Sequence, residues 1–139
     1  MADDFAKHLA TVPLFARCSS GDLAKIARLT DEIDVETGRQ LVVEGDVGHE
    51  AFVVVEGSAT ISQGGFDVAD VGPGAVFGEM ALIERVPRNA TVTATSPMRL
   101  LVIGQREFSG LIDEARDFRN SIMVALADRV RQKDLELYG

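Results

Sequence analysis

The apolar residues of this chain recur with different periods along its length, which divides the sequence into three regions. Residues 1–29 have the three- and four-residue spacing of amphipathic helices on both sides of Pro13. Residues 30–104 carry short runs rich in β-branched residues, and residues 105–138 return to helical spacing. The pattern predicts a single, mainly β domain over residues 1–139, with N-terminal helices before the strands and C-terminal helices after them.

Short apolar runs predict the strands of the central region. Glycine and proline separate these runs at intervals of roughly ten residues, which is typical of antiparallel sandwiches and barrels rather than of βαβ units. An antiparallel β-roll or jelly roll is therefore expected. The runs are Ile33–Val35, Leu41–Val43, Phe52–Val55, Ala59–Ile61, Val68–Val71, Thr91–Thr93 and Leu100–Ile103.

The flanking helices are predicted from their ends and their apolar faces. Ser19 and Ser20 suit the N-cap of the second N-terminal helix, because a serine hydroxyl accepts a hydrogen bond from a free N–H of the first turn. From Phe108 to Val130 apolar residues recur every three or four positions, which predicts a long amphipathic C-terminal helix.

Composition and charge narrow the classes of function. The chain is 46% hydrophobic and has a formal net charge of −8, so an ordinary globular core forms without metal or disulfides. An acidic chain is a poor match for nucleic acid, which requires clustered Lys and Arg. No apolar run approaches the length of a membrane span. We therefore expect no nucleic-acid partner, no membrane contact by the chain itself and a cytoplasmic location.

Cysteine and histidine offer little for catalysis or metal binding. Cys18 is the only cysteine, so it cannot form a disulfide within the chain, and no partner at suggestive spacing supports a catalytic thiol. His8 and His49 are far apart in the sequence and lack the neighbouring ligands of a metal motif. A jelly-roll metalloenzyme is therefore the weakest functional alternative, and no cofactor or metal is expected.

Residues 77–92 interrupt the strand pattern with a candidate anion site. Gly78 allows close backbone approach, and Glu79–Glu84 suit one short helix. Pro87 prevents that helix from continuing, so Arg88 must begin an extended segment. A helix N-terminus offers free N–H groups, and an arginine opposite it supplies donors that match phosphate oxygens. The segment therefore predicts anion binding within an acidic chain.

These residues resemble the phosphate-binding cassette of the cyclic nucleotide-binding domain. This family occurs in catabolite-activator-type regulators, protein kinase regulatory subunits and cyclic-nucleotide-gated channels. Its cassette reads Phe-Gly-Glu-x-Ala-Leu, then Arg-x-Ala-Thr or Arg-x-Ala-Ser. The matching residues are Phe77-Gly78-Glu79-Met80-Ala81-Leu82 and Arg88-Asn89-Ala90-Thr91, with further similarity at Gly45-Asp46, Phe52–Gly57 and Leu126–Arg131. The resemblance implies a β-roll with a C-terminal lid helix.

The resemblance also implies a role for each matching residue. Arg88 is expected to pair with the cyclic phosphate, and Glu79 is expected to accept a hydrogen bond from the ribose 2′-hydroxyl. The N–H groups of Ala81 and Asn89 complete the phosphate contacts. This division suits the chemistry, because a carboxylate only accepts hydrogen bonds and an arginine only donates them. The candidate ligand-binding residues are Gly78, Glu79, Met80, Ala81, Arg88, Asn89 and Ala90, with Val68 and Val71 on the base side.

One position departs from the family pattern. The residue after the cassette arginine is usually Ala, Thr, Ser or Gln, and a threonine there commonly accompanies cGMP preference, whereas this chain has Asn89. An amide both donates and accepts hydrogen bonds, so the base preference stays open. The expected ligand is cAMP, with cGMP as the alternative.

The expected function is a non-enzymatic regulatory module whose ligand changes the position of the C-terminal helix. Through that helix the module is expected to contact a protein partner or a second copy of the chain. Two alternatives stay open. One is an interaction or dimerisation module that keeps the fold without a ligand, and the other is a regulatory fragment of a longer transcription factor or channel.

Overall fold

The computed structural model describes residues 15–78, 86–124 and 127. In chain order the elements are α1 (Ser20–Leu29), β1 (Asp31–Val35), β2 (Gln40–Val42), β3 (Glu50–Glu56), β4 (Ala59–Gln63), β5 (Phe66–Val71), β6 (Val76–Phe77), β7 (Thr91–Ala94), β8 (Met98–Gly104) and α2 (Gln105–Glu114). Residues 116–124 are helical as well. Within these described ranges no helix has both the length and the hydropathy needed to cross a lipid bilayer.

The strands form two four-stranded sheets, with the orders β1-β8-β3-β6 and β2-β7-β4-β5. Every neighbouring pair is antiparallel. Successive strands alternate between the two sheets except for β4 and β5, which form a hairpin. The chain therefore winds from one sheet to the other, and the predicted antiparallel β-roll with flanking helices is confirmed.

One hydrophobic cluster draws its members from strands of both sheets. Phe52 on β3 and Phe77 on β6 stack at its centre, with ring centroids 5.0 Å apart. Val54 and Leu100 are completely buried. Burial of a side chain of this size contributes about 1.5–3 kcal/mol, so the cluster contributes strongly to the stability of the roll. Its buried members are Val35, Val42, Phe52, Val54, Ala59, Phe77, Val92, Ala94, Met98 and Leu100.

The strand predictions agree closely with the structure. Each of the seven apolar runs lies on a strand, and the ends differ by at most two residues. β6 was not predicted, because a strand of two residues is too short to show a period. Residues 51–55 of β3 are all buried, which explains why its run is continuous rather than alternating.

The terminal segments form a compact unit of their own. Residue contacts group 29–109 in one unit and combine 1–28 with 110–139 in another. Within the second unit, α1 begins where the sequence predicted, since the N–H of Asp22 donates to Ser19 Oγ at 3.1 Å. The helix predicted before Pro13 lies outside the described residues.

The beginnings of two helices cap each other in this terminal unit. The N–H of Ser19 donates to Asp117 Oδ2 at 3.0 Å, and the N–H of Asp117 donates to Asp22 Oδ2 at 3.0 Å. A carboxylate near a helix N-terminus is stabilised by the free N–H groups there. The long C-terminal helix predicted from the sequence is divided, because Ala115 separates α2 from the helical stretch 116–124.

Gly57 lies where the turn between β3 and β4 meets the turn before β8. Its φ is 91°, and a Cβ at this position would overlap Pro97 O and lie 2.9 Å from Met98 Cα. Gly38 has a similar φ of 93° with nothing within 4 Å of such a Cβ. Glycine is therefore required at position 57 both by the positive φ and by the close contact. At position 38 it is required by the positive φ alone.

We predict that Gly57→Ala lowers the free energy of unfolding by about 1–3 kcal/mol more than Gly38→Ala, because only the former adds overpacking to the cost of a positive φ. Urea denaturation of both variants measures the difference. Equal losses for the two variants would show that the turns move apart without cost.

Candidate functional site

Arg88 is held by the backbone of the loop between β2 and β3. The N–H of Arg88 donates to Asp46 O at 2.8 Å, and the N–H of Gly45 donates to Arg88 O at 2.8 Å. The sequence explains the local geometry, because Pro87 cannot continue a helix and the next strand, β7, begins at Thr91. The backbone pairing therefore fixes the point from which the arginine side chain extends.

The guanidinium of Arg88 bridges two segments through backbone carbonyls. Its Nη1 donates to Gly78 O at 2.9 Å, and its Nη2 donates to Glu50 O at 2.8 Å. The side chain is half-buried. Backbone carbonyls carry no net charge, so these two bonds orient the planar guanidinium without cancelling its charge. The two bonds therefore fix the orientation of the guanidinium.

Gly78 is required at the bridge by its conformation and by its surroundings. Its φ is 85°, and a Cβ there would lie 2.7 Å from Arg88 Nη1 and 3.0 Å from Glu50 O. Any larger residue would therefore press on the guanidinium and on one of its two acceptors. The sequence prediction that Gly78 permits close approach agrees with this contact.

The strand pair β3–β6 brings the two carbonyls together. Phe52 lies opposite Phe77 in the register of this pair, and Phe77 is buried against Phe52. Glu50 is the first residue of β3, and Gly78 directly follows β6. The aromatic pair thus anchors the two residues whose carbonyls hold Arg88.

The residues that follow Arg88 are tied to the β4–β5 hairpin. Gln63 Nε2 donates to Asn89 O at 3.0 Å, while Ala90 is buried. The N–H of Glu44 donates to Thr91 Oγ1 at 3.0 Å. Sequence reasoning missed Gln63, Glu44 and Glu50. Much of this contact network runs through backbone atoms, which every residue has, so the residue types at these positions do not reveal it.

Val68 and Val71 lie in different environments on β5. Val71 is partly buried and packs against the core cluster, whereas Val68 is 54% exposed. Ile61 pairs with Ala69 and Ser62 pairs with Asp67, so Val68 is the extra residue of a β-bulge. Their assignment to the base side of a pocket stays a prediction.

The structure brings together only part of the predicted site. Gly78 and Arg88 are in direct contact, and Asn89 and Ala90 follow on the same segment. Glu79, Met80 and Ala81 lie outside the described residues, so their roles stay predictions.

Arg99 shows how this acidic chain neutralises a surface arginine. Its Nε lies 3.2 Å from Asp34 Oδ1 and 3.2 Å from Glu32 Oε1, and Nη1 lies 4.0 Å from Glu56 Oε1. The hydrogen bond and charge of Asp34, and then the charges of Glu56 and Glu32, raise the pKa of Arg99. Arg99 is therefore matched to carboxylates, whereas the two bonds described for Arg88 go to neutral carbonyls.

Among the described residues, Cys18 and His49 do not form a second site, and His8 lies outside those residues. Burial, followed by the charges of Asp117 and Asp22, raises the pKa of the Cys18 thiol to about 11, which disfavours a reactive thiolate despite the neighbouring Arg17. Across residues 15–78, 86–124 and 127, His, Cys, Asp and Glu side chains do not gather in groups of three that could hold a metal ion.

The chain is similar to known proteins over most of its length. A family model described as the cyclic nucleotide-binding domain matches residues 32–115. A cAMP-dependent protein kinase regulatory subunit of Eremothecium gossypii is 37% identical over 111 residues, which cover 79% of this chain and 24% of that protein. A cyclic nucleotide-gated potassium channel of Rhizobium etli is 33% identical over 129 residues, covering 91% of this chain and 36% of the channel.

A solved structure agrees with these matches. The catabolite activator protein of Thermus thermophilus superposes on the chain with a TM-score of 0.81 at 27% identity, covering 90% of this chain and 61% of that one. The chain therefore spans a minor part of the two relatives matched by sequence and a larger part of this structure.

We predict that Gly78→Ala destabilises the chain more than Gly65→Ala. Both glycines have a φ of 85°, but a Cβ at Gly65 meets nothing within 4 Å. The difference in the free energy of unfolding should be about 1–3 kcal/mol, the usual cost of overpacking. Urea denaturation of both variants measures it, and equal stability would show that Arg88 moves aside freely.

Proposed function

The chain belongs to the cyclic nucleotide-binding domain family, and we propose that it binds cAMP at the site around Arg88. The family match also confirms the expectation of a binding domain rather than an enzyme. The observation that carries the proposal is the seating of the Arg88 guanidinium on Gly78 O and Glu50 O, inside the matched region.

The charge of the site supports a singly charged phosphodiester. A cyclic nucleotide presents two free phosphate oxygens and one negative charge, which match the two-pronged donor geometry of one guanidinium. The chain has a net charge of −8, so a more highly charged phosphate would meet stronger repulsion at long range. Within the described part of the site, the oriented guanidinium of Arg88 in an acidic chain therefore favours the cyclic diester over a linear monophosphate.

The name of one relative supports cAMP over cGMP. The kinase regulatory subunit that is 37% identical is described as cAMP-dependent. Asn89 is exposed and follows the phosphate-binding arginine, and its amide suits hydrogen bonding to either base. cGMP is therefore the competing ligand in the experiments below.

Glu79 is proposed to hold the ribose. It directly follows Gly78 in the sequence, and the carbonyl of Gly78 accepts a hydrogen bond from the Arg88 guanidinium. A carboxylate accepts a hydrogen bond from the 2′-hydroxyl and repels the phosphate, which orients the nucleotide in one direction. The N–H groups of Ala81 and Asn89 are proposed to complete the phosphate contacts.

Ligand binding is proposed to shift the position of the C-terminal helix. This requires that the nucleotide binds one helix position more tightly than the other. On the helical stretch 116–124, Met123 is 61% exposed and Val124 is 60% exposed. We propose that this apolar surface contacts a protein partner or a second copy of the chain.

The first test removes the arginine. Arg88→Ala should weaken cAMP binding roughly 10- to 150-fold, because a hydrogen bond to a charged group contributes about 1.5–3 kcal/mol. Isothermal titration calorimetry measures the affinity, with cGMP titrated in parallel. Arg39→Ala, a change at an exposed arginine outside the site, is the control and should bind as the unmodified chain does.

Two results of this test would contradict the proposal. Absence of cAMP and cGMP binding by the folded, unmodified chain would favour the interaction module without ligand. If a folded Arg88→Ala variant binds cAMP with the affinity of the unmodified chain, the phosphate does not bind at Arg88.

The second test addresses the ribose. The unmodified chain should bind cAMP about tenfold more tightly than 2′-deoxy-cAMP, as expected for one hydrogen bond to a carboxylate. In Glu79→Ala this ratio should fall close to one, because the acceptor is gone. Titration of both nucleotides into both proteins measures the ratios, and a ratio unchanged by the substitution would exclude Glu79 from ribose binding.

A further inference from the structure

Gln63 occupies the end of a strand that pairs with the strand following the site. β4 pairs with β7 as far as Ser62 opposite Thr91. One residue further along β4, the side-chain amide of Gln63 donates to Asn89 O at 3.0 Å. The Gln63 side chain thus adds one more hydrogen bond between these two segments, beyond the last backbone pair of β4 and β7.

The backbone of Gln63 is itself held in place on two sides. It pairs with Phe66 across the two-residue turn Gly64-Gly65, a turn length that hairpins favour. The N–H of Gly64 donates to Glu44 Oε1 at 3.0 Å, and the N–H of Glu44 donates to Thr91 Oγ1. The hairpin, the loop before β3 and the start of β7 are therefore linked, and Gln63 extends from an anchored position.

The two peptide planes around Asn89 are held by different donors. The carbonyl of Arg88 accepts from the N–H of Gly45 at 2.8 Å, and the carbonyl of Asn89 accepts from Gln63. In a planar trans peptide the C=O and the following N–H point in opposite directions. Gly45 therefore sets the direction of the Asn89 N–H, and Gln63 sets the direction of the Ala90 N–H.

We propose that Gln63 is a positioning residue of the anion site, which orients the segment after Arg88 by holding the Asn89 carbonyl. With both planes fixed, the backbone dihedrals of Asn89 are fixed, and so are the point from which its side chain extends and the directions of the N–H groups of Asn89 and Ala90. The Gly45 bond is between backbone atoms, whereas the Gln63 bond depends on an amide side chain. This inference rests on the proposed binding of cAMP at Arg88.

The decisive variant is Gln63→Met, which keeps the length of the side chain and removes the donor. Its affinity for cAMP should fall about three- to tenfold, the range expected for one neutral hydrogen bond. Gln63→Lys, which restores a donor at similar reach, should recover most of the loss. Gln40→Met and Gln40→Lys make the same changes at an exposed strand residue of the same sheet and should bind within about twofold of the unmodified chain.

A second readout separates positioning from general loosening of the fold. Addition of cAMP should shift the backbone amide signals of Asn89 and Ala90 in ¹H–¹⁵N NMR spectra. In Gln63→Met these shifts should shrink, whereas the shift of the Gly78 amide should persist. If Gln63→Met fails to fold, Gln63→Leu replaces it, since it also removes the donor and adds no charge.

The results distinguish this inference from the proposed function. If the unmodified chain does not bind cAMP, the proposed function itself fails, and the positioning role fails with it. If the unmodified chain binds and a folded Gln63→Met variant binds within twofold of it, the positioning role alone is wrong. Two further results would contradict the positioning role. One is weaker cAMP binding by Gln63→Met while its Asn89 and Ala90 amide shifts stay as large as in the unmodified chain. The other is an affinity of Gln63→Lys for cAMP that stays as low as that of Gln63→Met.

Discussion

The hydrogen bonding of one guanidinium to two backbone carbonyls is the interaction on which this site depends. Arg88 bonds Gly78 O and Glu50 O, and so joins the end of β6, the beginning of β3 and the extended segment before β7. The acceptors are main-chain atoms held by a strand pair and by the stack of Phe52 on Phe77. The core of the roll thus positions the guanidinium.

Two arginines of this chain, whose net charge is −8, have different hydrogen-bond partners. Arg99 is matched by Glu32, Asp34 and Glu56, which leaves that region acidic. The two carbonyls that accept from Arg88 fix the direction of its guanidinium. Membership in the cyclic nucleotide-binding domain family and the orientation of the Arg88 guanidinium both support the proposed ligand.

Sequence reasoning predicted the strands and the cassette but not the network that holds the cassette. Seven strands were found because their apolar runs lie between glycines and prolines. Gly78 and Arg88 were singled out because they match a family motif, and their binding roles stay predictions. β6 was missed because two residues have no period. Gln63, Glu44 and Glu50 were missed because they act through, or upon, backbone atoms, which any residue possesses.

A crystal structure of the chain grown with cAMP tests the central claim most directly. The account predicts that the cyclic phosphate lies within hydrogen-bond distance of the Arg88 guanidinium and the Asn89 N–H, while Arg88 keeps its bonds to Gly78 O and Glu50 O. A nucleotide bound elsewhere, or an Arg88 side chain that has left both carbonyls for solvent, would contradict it.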